Sequence, residues 1–129
     1  MDKYNDGEIK NAVITSVKFD NERGLSAWLM LDYGGSGQGF GGYMLYAPEG
    51  WAAHNTGGDL TGHFIYRCLE IAGVEDWGNL VGKTIRVRSD RAGLGGTIVA
   101  IGHIVKDDWF NPKEEFANLL AKFKNECGA

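Results

Sequence analysis

The stretch LSAWLMLDYGGSGQGFGGYMLY, residues 25–46, decides how the chain folds. Residues 25–33 are apolar and aromatic enough for a central strand, and residues 43–46 are typical of a strand that returns after the glycines. Residues 8–20 alternate imperfectly between apolar and polar side chains, as a half-buried strand does. The apolar positions on one parity are Ile9, Val13, Val17 and Phe19. The sequence therefore predicts an antiparallel meander of three strands.

The middle of the chain predicts a helix followed by a β-hairpin. Residues 59–74, DLTGHFIYRCLEIAGV, carry apolar side chains at helical spacing and end near Gly73, which suits the position after a helix. The apolar stripe comprises Leu60, Phe64, Cys68, Leu69, Ile71 and Ala72. A short turn is expected around Trp77 and Leu80. Residues 83–90 and 97–106 then predict a hairpin across a glycine-rich turn.

The segment that begins at Asn111 carries the clearest helix start. Asn111 can cap the helix, Pro112 suits its first position, and Glu114 lies three residues after the cap. The apolar positions on one face of this helix are Phe116, Leu119, Leu120 and Phe123. The order strands, helix, hairpin, helix predicts an α+β fold, with an antiparallel sheet of about five strands and two main helices in one domain, residues 1–129.

Composition excludes several classes of protein. The chain has 129 residues, of which 43% are hydrophobic and 23% charged, so it is expected to fold without metal or disulfide support. A net charge of −4 gives no general attraction to duplex DNA or anionic lipid. The N-terminal residues are polar and no apolar run approaches a membrane span, so a cytoplasmic protein without a membrane partner is expected.

Catalytic and metal-binding patterns are not found in the sequence. The three histidines, His54, His63 and His103, have no ligand spacing, and neither Cys68 nor Cys127 belongs to a CxxC pattern. No serine, cysteine or histidine stands in a known nucleophile context. We therefore expect a binding protein rather than an enzyme, with no metal and no cofactor.

Two arginines are candidates for binding phosphate. In the strand KTIRVRSD, Arg86 and Arg88 alternate with apolar residues and therefore point the same way, about 7 Å apart. Such a pair can hold two phosphates in a bidentate manner, and Arg91 lies nearby. The alternative is a solvated face on which the arginines pair with carboxylates. Trp51 and Trp109, in predicted loops, are candidates for stacking or an interface, against the alternative of partial burial.

The glycine-rich segment 34–42 leaves two interpretations open. It contains a formal GxGxxG match, but a strand rather than a helix follows, so a dinucleotide-binding motif is rejected. In one interpretation its amides form an anion nest, with Gln38 to hydrogen-bond and Phe40 to stack on a ligand. In the other it is a bulged connection or a subunit contact.

The stretches LDYGGSGQGFGGY, RCLEIAGVEDW, NLVGKTIRVR and AIGHIVKDDWF resemble a family of small phage proteins, the anti-Thoeris sponges. The resemblance covers most of residues 8–120 and diverges at the N-terminus and around residues 48–58. It implies an antiparallel sheet with helices, assembly into dimers or hexamers, and ligand pockets at subunit contacts that use arginine, aromatic and asparagine side chains. It also implies sequestration of a cyclic ADP-ribose-type signal in the cytoplasm of the host cell.

The leading hypothesis is a phage counter-defence protein that binds a cyclic ADP-ribose isomer or a cyclic oligonucleotide without cleaving it. The candidate ligand-binding residues are Gln38, Phe40, Arg86, Arg88 and Arg91. One alternative is a protein-interaction inhibitor of a host enzyme or of a CRISPR effector. Another is a protein that binds single-stranded nucleic acid through exposed aromatic side chains.

Overall fold

The computed structural model describes residues 8–21, 24–43, 45–46, 60–90 and 96–127, except for the side chains of residues 123–127. They form one antiparallel sheet and two α-helices, which confirms the α+β class; the sheet has six strands where about five were expected. The elements are β1 Ile9–Asp20, β2 Ser26–Asp32, β3 Gly37–Gly41, α1 Leu60–Ala72, a 3₁₀ helix Trp77–Leu80, β4 Thr84–Ser89, β5 Ile98–Gly102, β6 Trp109–Phe110 and α2 Pro112–Cys127. None of the described helices is long and apolar enough to cross a membrane.

The sheet has the strand order β3-β2-β1-β4-β5-β6. It is curled, because β3 and β5 approach each other although three strands separate them in this order. Its concave face packs against both described helices around one apolar core, and we call the opposite face the outer face. The largest fully buried side chains include Phe40, Phe64, Phe110, Ile14, Leu29 and Ile101. Three of these are aromatic rings from β3, α1 and β6, so aromatic contacts join the sheet to the first helix.

The first strand does not keep one apolar face. The register of β1 against β2 shifts between Ile14 and Ser16, the position of a β-bulge. Before the bulge, Val13 is exposed on the outer face, whereas Val17 after it is partly buried against the core. One extra residue reverses the side-chain parity of a strand. The prediction that Ile9, Val13, Val17 and Phe19 share a face is therefore wrong.

The third strand lies within the glycines rather than after them. Residues 37–41 pair with β2. In the expected strand at residues 43–46, the described residues 43, 45 and 46 show only an isolated bridge between Leu25 and Tyr46. Gly34 and Gly35, with φ of +80° and +88°, form the two-residue turn. The glycines of β3 serve close packing, because a Cβ on Gly39 would lie 3.0 Å from the Trp28 ring.

Both predicted helices are present. The α1 stripe buries Leu60, Phe64, Cys68 and Ile71 as expected, and Gly73, with φ +71°, follows the helix and donates to the Leu69 carbonyl. At the start of α2, the Glu114 amide donates to Asn111 Oδ1 at 3.2 Å, which confirms the cap. Phe116 is buried, but Leu120 is 39% exposed and lies off the packed face.

The predicted hairpin is correct in its first strand and too long in its second. Strand β5 ends at Gly102, because residues 103–108 form a turn that leads into β6, a strand that the sequence analysis did not predict. The short turn expected at Trp77 and Leu80 is the 3₁₀ helix, in which the Asp76 carboxylate accepts from the Gly78 amide at 2.7 Å.

Candidate ligand-binding surface

Arg86 and Arg88 lie on the outer face of β4, and both guanidiniums approach one indole ring. The ζ-carbon of Arg86 is 4.9 Å from the centroid of the Trp109 ring, and that of Arg88 is 4.3 Å from it. At these distances the ring quadrupole attracts the cations and the planar guanidiniums can stack on the ring. We call Arg86, Arg88 and Trp109 the outer arginine cluster.

The register of the sheet explains this contact. Arg86 pairs with Gly102, and Gly102 pairs with Trp109, so the three residues form one row on the outer face. A Cβ on Gly102 would lie 2.7 Å from two carbons of the Trp109 ring. The missing side chain therefore lets the indole lie against the sheet, where its Nε1 donates to the Asp107 carboxylate at 3.1 Å.

The turn at residues 103–108 holds Arg86 in the row. Nε of Arg86 donates to the His103 carbonyl at 2.7 Å, and its Nη2 donates to the Lys106 carbonyl at 2.7 Å. Both bonds orient the plane of the guanidinium. Arg86 is therefore fixed by the backbone of the turn as well as by Trp109.

Carbonyl dipoles do not neutralise the charge of Arg86. Within the described part of the chain, Arg86 forms no ion pair, and its only hydrogen bonds go to the two carbonyls. Arg88 adds a second guanidinium on the same face of the strand. Asn11 pairs with Arg86 from β1, so an exposed amide lies in the same row. The cluster is thus a positively charged surface with hydrogen-bonding groups at its edge, which suits an anion.

Gln38 is engaged by the chain itself. Its Nε2 donates to the Tyr33 hydroxyl at 3.2 Å and to the Gly96 carbonyl at 3.1 Å, and its Oε1 accepts from the Ile98 amide at 2.5 Å. In a flat sheet β3 and β5 would be about 19 Å apart, four strand spacings. The curl brings them together, and the Gln38 amide closes the seam. A ligand contact for Gln38 stays a prediction, but both of its N–H donors are already used.

Phe40 lies in the core. It is 1% exposed, and its ring centroid is 6.0 Å from that of Phe64 and 6.2 Å from that of Phe110. We expected this ring to stack on a ligand beside the glycines. The alternation of β3 instead turns Phe40 to the concave face, and the structure therefore corrects that expectation.

The remaining sequence candidates divide into two groups. Arg91 and Trp51 lie outside the described residues. In the glycine segment, the Gly35 amide, one of the expected nest donors, donates to the Asp32 carboxylate at 3.2 Å. Because this amide already donates to a carboxylate of the chain itself, the interpretation of the segment as a structural connection is favoured.

A further arginine, Arg67 on α1, was not identified as a candidate from the sequence. Its Nε lies 3.1 Å from Glu115 Oε1, its Nη2 lies 3.1 Å from Asp108 Oδ1, and it also pairs with Glu70. Nη2 donates to the Trp109 carbonyl at 2.6 Å. We call Arg67 with its three carboxylates the Arg67 cluster. Glu115 and Asp108 are far from Arg67 in sequence, so no local spacing pointed to the cluster.

The Arg67 cluster is built for stability. Burial by itself would lower the pKa of Arg67, but hydrogen bonds to Glu115, Asp108 and Glu70 outweigh burial and raise that pKa above its ordinary value. His63 joins the cluster through Nε2, 2.7 Å from Glu115 Oε1. Since three carboxylates surround the guanidinium, the cluster leaves no net positive charge for an anionic ligand.

Other reactive groups offer no second centre in the described ranges. Cys68 is a buried free cysteine, and burial raises the pKa of its thiol, so it stays protonated and unreactive. Among the described residues, no three histidine, cysteine, aspartate or glutamate side chains come together to hold a metal ion. Comparison of the chain with protein-family models, curated proteins and solved structures found no match.

Proposed function

We propose that the chain binds a nucleotide-like anion at the outer arginine cluster and holds it without cleaving it. The observation that carries this proposal is the pair of guanidiniums over the Trp109 ring, at 4.9 and 4.3 Å, on the outer face of the sheet. Arg86, one of the two, has no carboxylate partner in the described part of the chain.

The chemistry of the ligand follows from this geometry. Arginines two residues apart on a strand are about 7 Å apart, which allows one molecule to place a phosphate group on each. A guanidinium that stacks on an indole directs its N–H groups along the plane of the ring, where phosphate oxygens can accept from them, and a nucleobase can extend the stack. The ligand is therefore a compact anion with two phosphates and an aromatic base.

A cyclic ADP-ribose isomer or a cyclic oligonucleotide fits this description, and the resemblance to phage anti-Thoeris sponges supports the same class. The protein then acts in the cytoplasm of the host cell by sequestering an immune signal, as a dimer or a hexamer. Sequestration requires binding alone. Arginine side chains remain protonated at neutral pH and bind phosphate without moving a proton.

Arg88→Ala tests the site, because Arg88 lies 4.3 Å from the Trp109 ring, whereas substitution of Arg86 would also remove two hydrogen bonds to the turn. Isothermal titration at pH 7.5 with cyclic ADP-ribose, ADP-ribose and a cyclic dinucleotide is expected to show binding of at least one probe. Loss of one charged contact is expected to weaken that binding by about 1.5 to 3 kcal/mol, or about 10- to 150-fold. Chromatography of the ligand released by heating checks that it is intact.

Lys18→Ala is the matched control. Lys18 carries the same charge on the outer face, near Trp28 rather than Trp109, and its side chain is 58% exposed. We expect this variant to bind within about twofold of the wild type, since exposed charges far from the site are screened. Equal losses in both variants would show non-specific attraction, and unchanged binding in Arg88→Ala would remove the cluster as the site.

A second candidate is a protein-interaction inhibitor of a host enzyme or a CRISPR effector. The observation that favours it is a set of exposed apolar side chains on the outer face: Ile9 at 51%, Val13 at 39% and Met30 at 37%. Apolar side chains grouped on one face are typical of protein contacts. Met30→Asp separates the candidates, because Met30 lies on β2, away from the outer arginine cluster on β4 to β6. It is expected to abolish a protein contact and to leave nucleotide binding unchanged.

A further inference from the structure

His103 begins the turn that supports the outer arginine cluster, and its ring accepts two hydrogen bonds from that turn. The backbone amide of Val105 donates to His103 Nδ1 at 3.0 Å, and that of Lys106 donates to the same atom at 2.9 Å. An imidazole nitrogen accepts hydrogen bonds only through its lone pair. The ring in this arrangement is therefore neutral, with its proton on Nε2.

The same turn positions both parts of the row. The carbonyls of His103 and Lys106 accept from Arg86, so Lys106 joins the histidine ring through its amide and the guanidinium through its carbonyl. Trp109 donates to Asp107 in the turn. The amides that donate to His103 Nδ1 therefore belong to the same short turn as the two carbonyls that hold Arg86 and the carboxylate that holds the indole.

We propose that protonation of His103 opens the turn and weakens the ligand-binding surface, so that the protein releases its ligand as the pH falls. A proton on Nδ1 places an N–H against two backbone N–H groups, and the two acceptor bonds are lost together. The carbonyls then no longer face Arg86. The part of this inference that concerns the ligand rests on the proposed function.

The charged groups around the turn are of both signs. Arg86 faces the His103 carbonyl from β4, and Lys106 lies within the turn. Asp107 is hydrogen-bonded to Trp109, and Asp108 accepts from the His103 amide through its carbonyl while its carboxylate belongs to the Arg67 cluster. Because Asp108 is paired with Arg67, the described cations Arg86, Arg88 and Lys106 outnumber the Asp107 carboxylate around the turn. The event that opens the turn is therefore the loss of the Nδ1 lone pair, which breaks two hydrogen bonds.

The first experiment needs no ligand. Nitrogen NMR of the histidine rings is expected to show the Nε2–H form of His103 at pH 7.5. Between pH 7.5 and 5, where histidine side chains take up a proton, the amide signals of Val105 and Lys106 and the Nε–H signal of Arg86 are expected to shift or broaden together. A proton on Nδ1 at pH 7.5, or signals that stay unchanged through the titration of His103, would overturn the inference.

The second experiment measures affinity for ADP-ribose, whose diphosphate keeps its charge over this range. Binding by the wild-type protein is expected to weaken at least tenfold from pH 7.5 to 5.5. His103→Asn is expected to change by less than about twofold, because an asparagine oxygen accepts from the amides that follow it and does not titrate. His63→Gln is the control and keeps the wild-type pH response, since His63 contacts Glu115 and not the turn.

The two experiments separate the possible failures. If no probe binds at pH 7.5, the proposed function fails, and the NMR titration alone decides whether His103 controls the turn. If the probe binds with equal affinity at both pH values while the amide signals move, the turn opens without regulating the site and the inference is wrong. Equal pH dependence in the wild type and in His103→Asn would assign the response to another group.

Discussion

The two adjacent aromatic residues of β6 contact arginine side chains on opposite faces of the sheet. On the outer face the ring of Trp109 meets Arg86 and Arg88, whereas on the concave face the ring of Phe110 lies 5.5 Å from the ζ-carbon of Arg67. All three guanidiniums thus lie over aromatic rings. The two sides differ in the groups that accept hydrogen bonds from the guanidiniums.

Arg67 pairs with carboxylates, whereas Arg86 donates hydrogen bonds to backbone carbonyls. The side chain of Arg67 is 12% exposed and faces three acidic side chains, so its charge is compensated within the fold. Carbonyl dipoles orient Arg86 without cancelling its charge. A compensated, buried arginine serves stability, whereas an uncompensated arginine on an outer face can serve an anionic ligand.

Arg67→Ala is expected to have the largest effect on this comparison. Removal of the guanidinium leaves Glu115 and Asp108 facing each other without a cation and leaves the Trp109 carbonyl without its donor. We expect the free energy of unfolding to fall by about 3 kcal/mol, the scale of a broken, largely buried ion-pair network. Urea denaturation monitored by circular dichroism measures it.

Lys113→Ala is the control for that variant, because Lys113 is exposed on α2 and a substitution there is expected to change stability by less than about 0.5 kcal/mol. A loss below about 1 kcal/mol in Arg67→Ala would break the comparison. It would mean that the carboxylates rehydrate freely and that the Arg67 cluster contributes little to the fold.

Gly102→Ala tests the outer side. The new methyl group would meet the Trp109 ring at 2.7 Å, so the indole must lift from the sheet. We expect a loss of about 2 kcal/mol in unfolding free energy, within the range for overpacked sites, together with weaker nucleotide binding. Urea denaturation and titration calorimetry measure the two effects.

The double variant Gly102→Ala/Trp109→Ala isolates the clash. With the ring removed, the added methyl group has nothing to displace, so Gly102→Ala is expected to cost little in the Trp109→Ala background. An equal cost in both backgrounds would show that the glycine is needed for the backbone of β5 and not for the stacking of the indole.

Regular periodicity made much of the fold predictable. The stripe of α1, the cap at Asn111 and the alternation of β4 depend on residues close in sequence, and the structure confirms them. The errors arose where one residue changes the register. The bulge after Ile14 moves Val17 to the other face, and such an insertion has no local sequence signature.

The candidate site was less predictable because it depends on contacts between distant segments. Alternation placed Arg86 and Arg88 on one face, but their contact with Trp109 requires the row across β4, β5 and β6, and β6 has only two residues. Gln38 was an attractive polar candidate beside glycines. Its side-chain amide instead forms hydrogen bonds with the backbone of Gly96 and Ile98, which come close only because the sheet is curled.

Cys68, next to Arg67 in sequence, gives the smallest and most specific test of burial on the concave side. Burial raises the pKa of its thiol, and the opposing charge of Arg67 does not offset that effect. The folded thiol therefore stays protonated while the unfolded thiol ionises near its ordinary value of about 8.5. The stability that this difference contributes is complete below that value and is lost as the pH rises above it.

Between pH 7.5 and 9.5 the free energy of unfolding is expected to fall by about 1.4 kcal/mol on account of Cys68. Urea denaturation at both pH values measures this fall. In Cys68→Ala the free energy of unfolding is expected to fall by about 1.4 kcal/mol less than in the wild type, because the other ionising groups contribute equally to both proteins. Arg88→Ala, on the outer side, is expected to keep the wild-type pH dependence. If the free energies of unfolding of Cys68→Ala and of the wild type change equally with pH, the thiol ionises in the folded protein. The core on the concave side would then admit water at Cys68, and the contrast between a buried concave side and a solvent-facing outer side would fail.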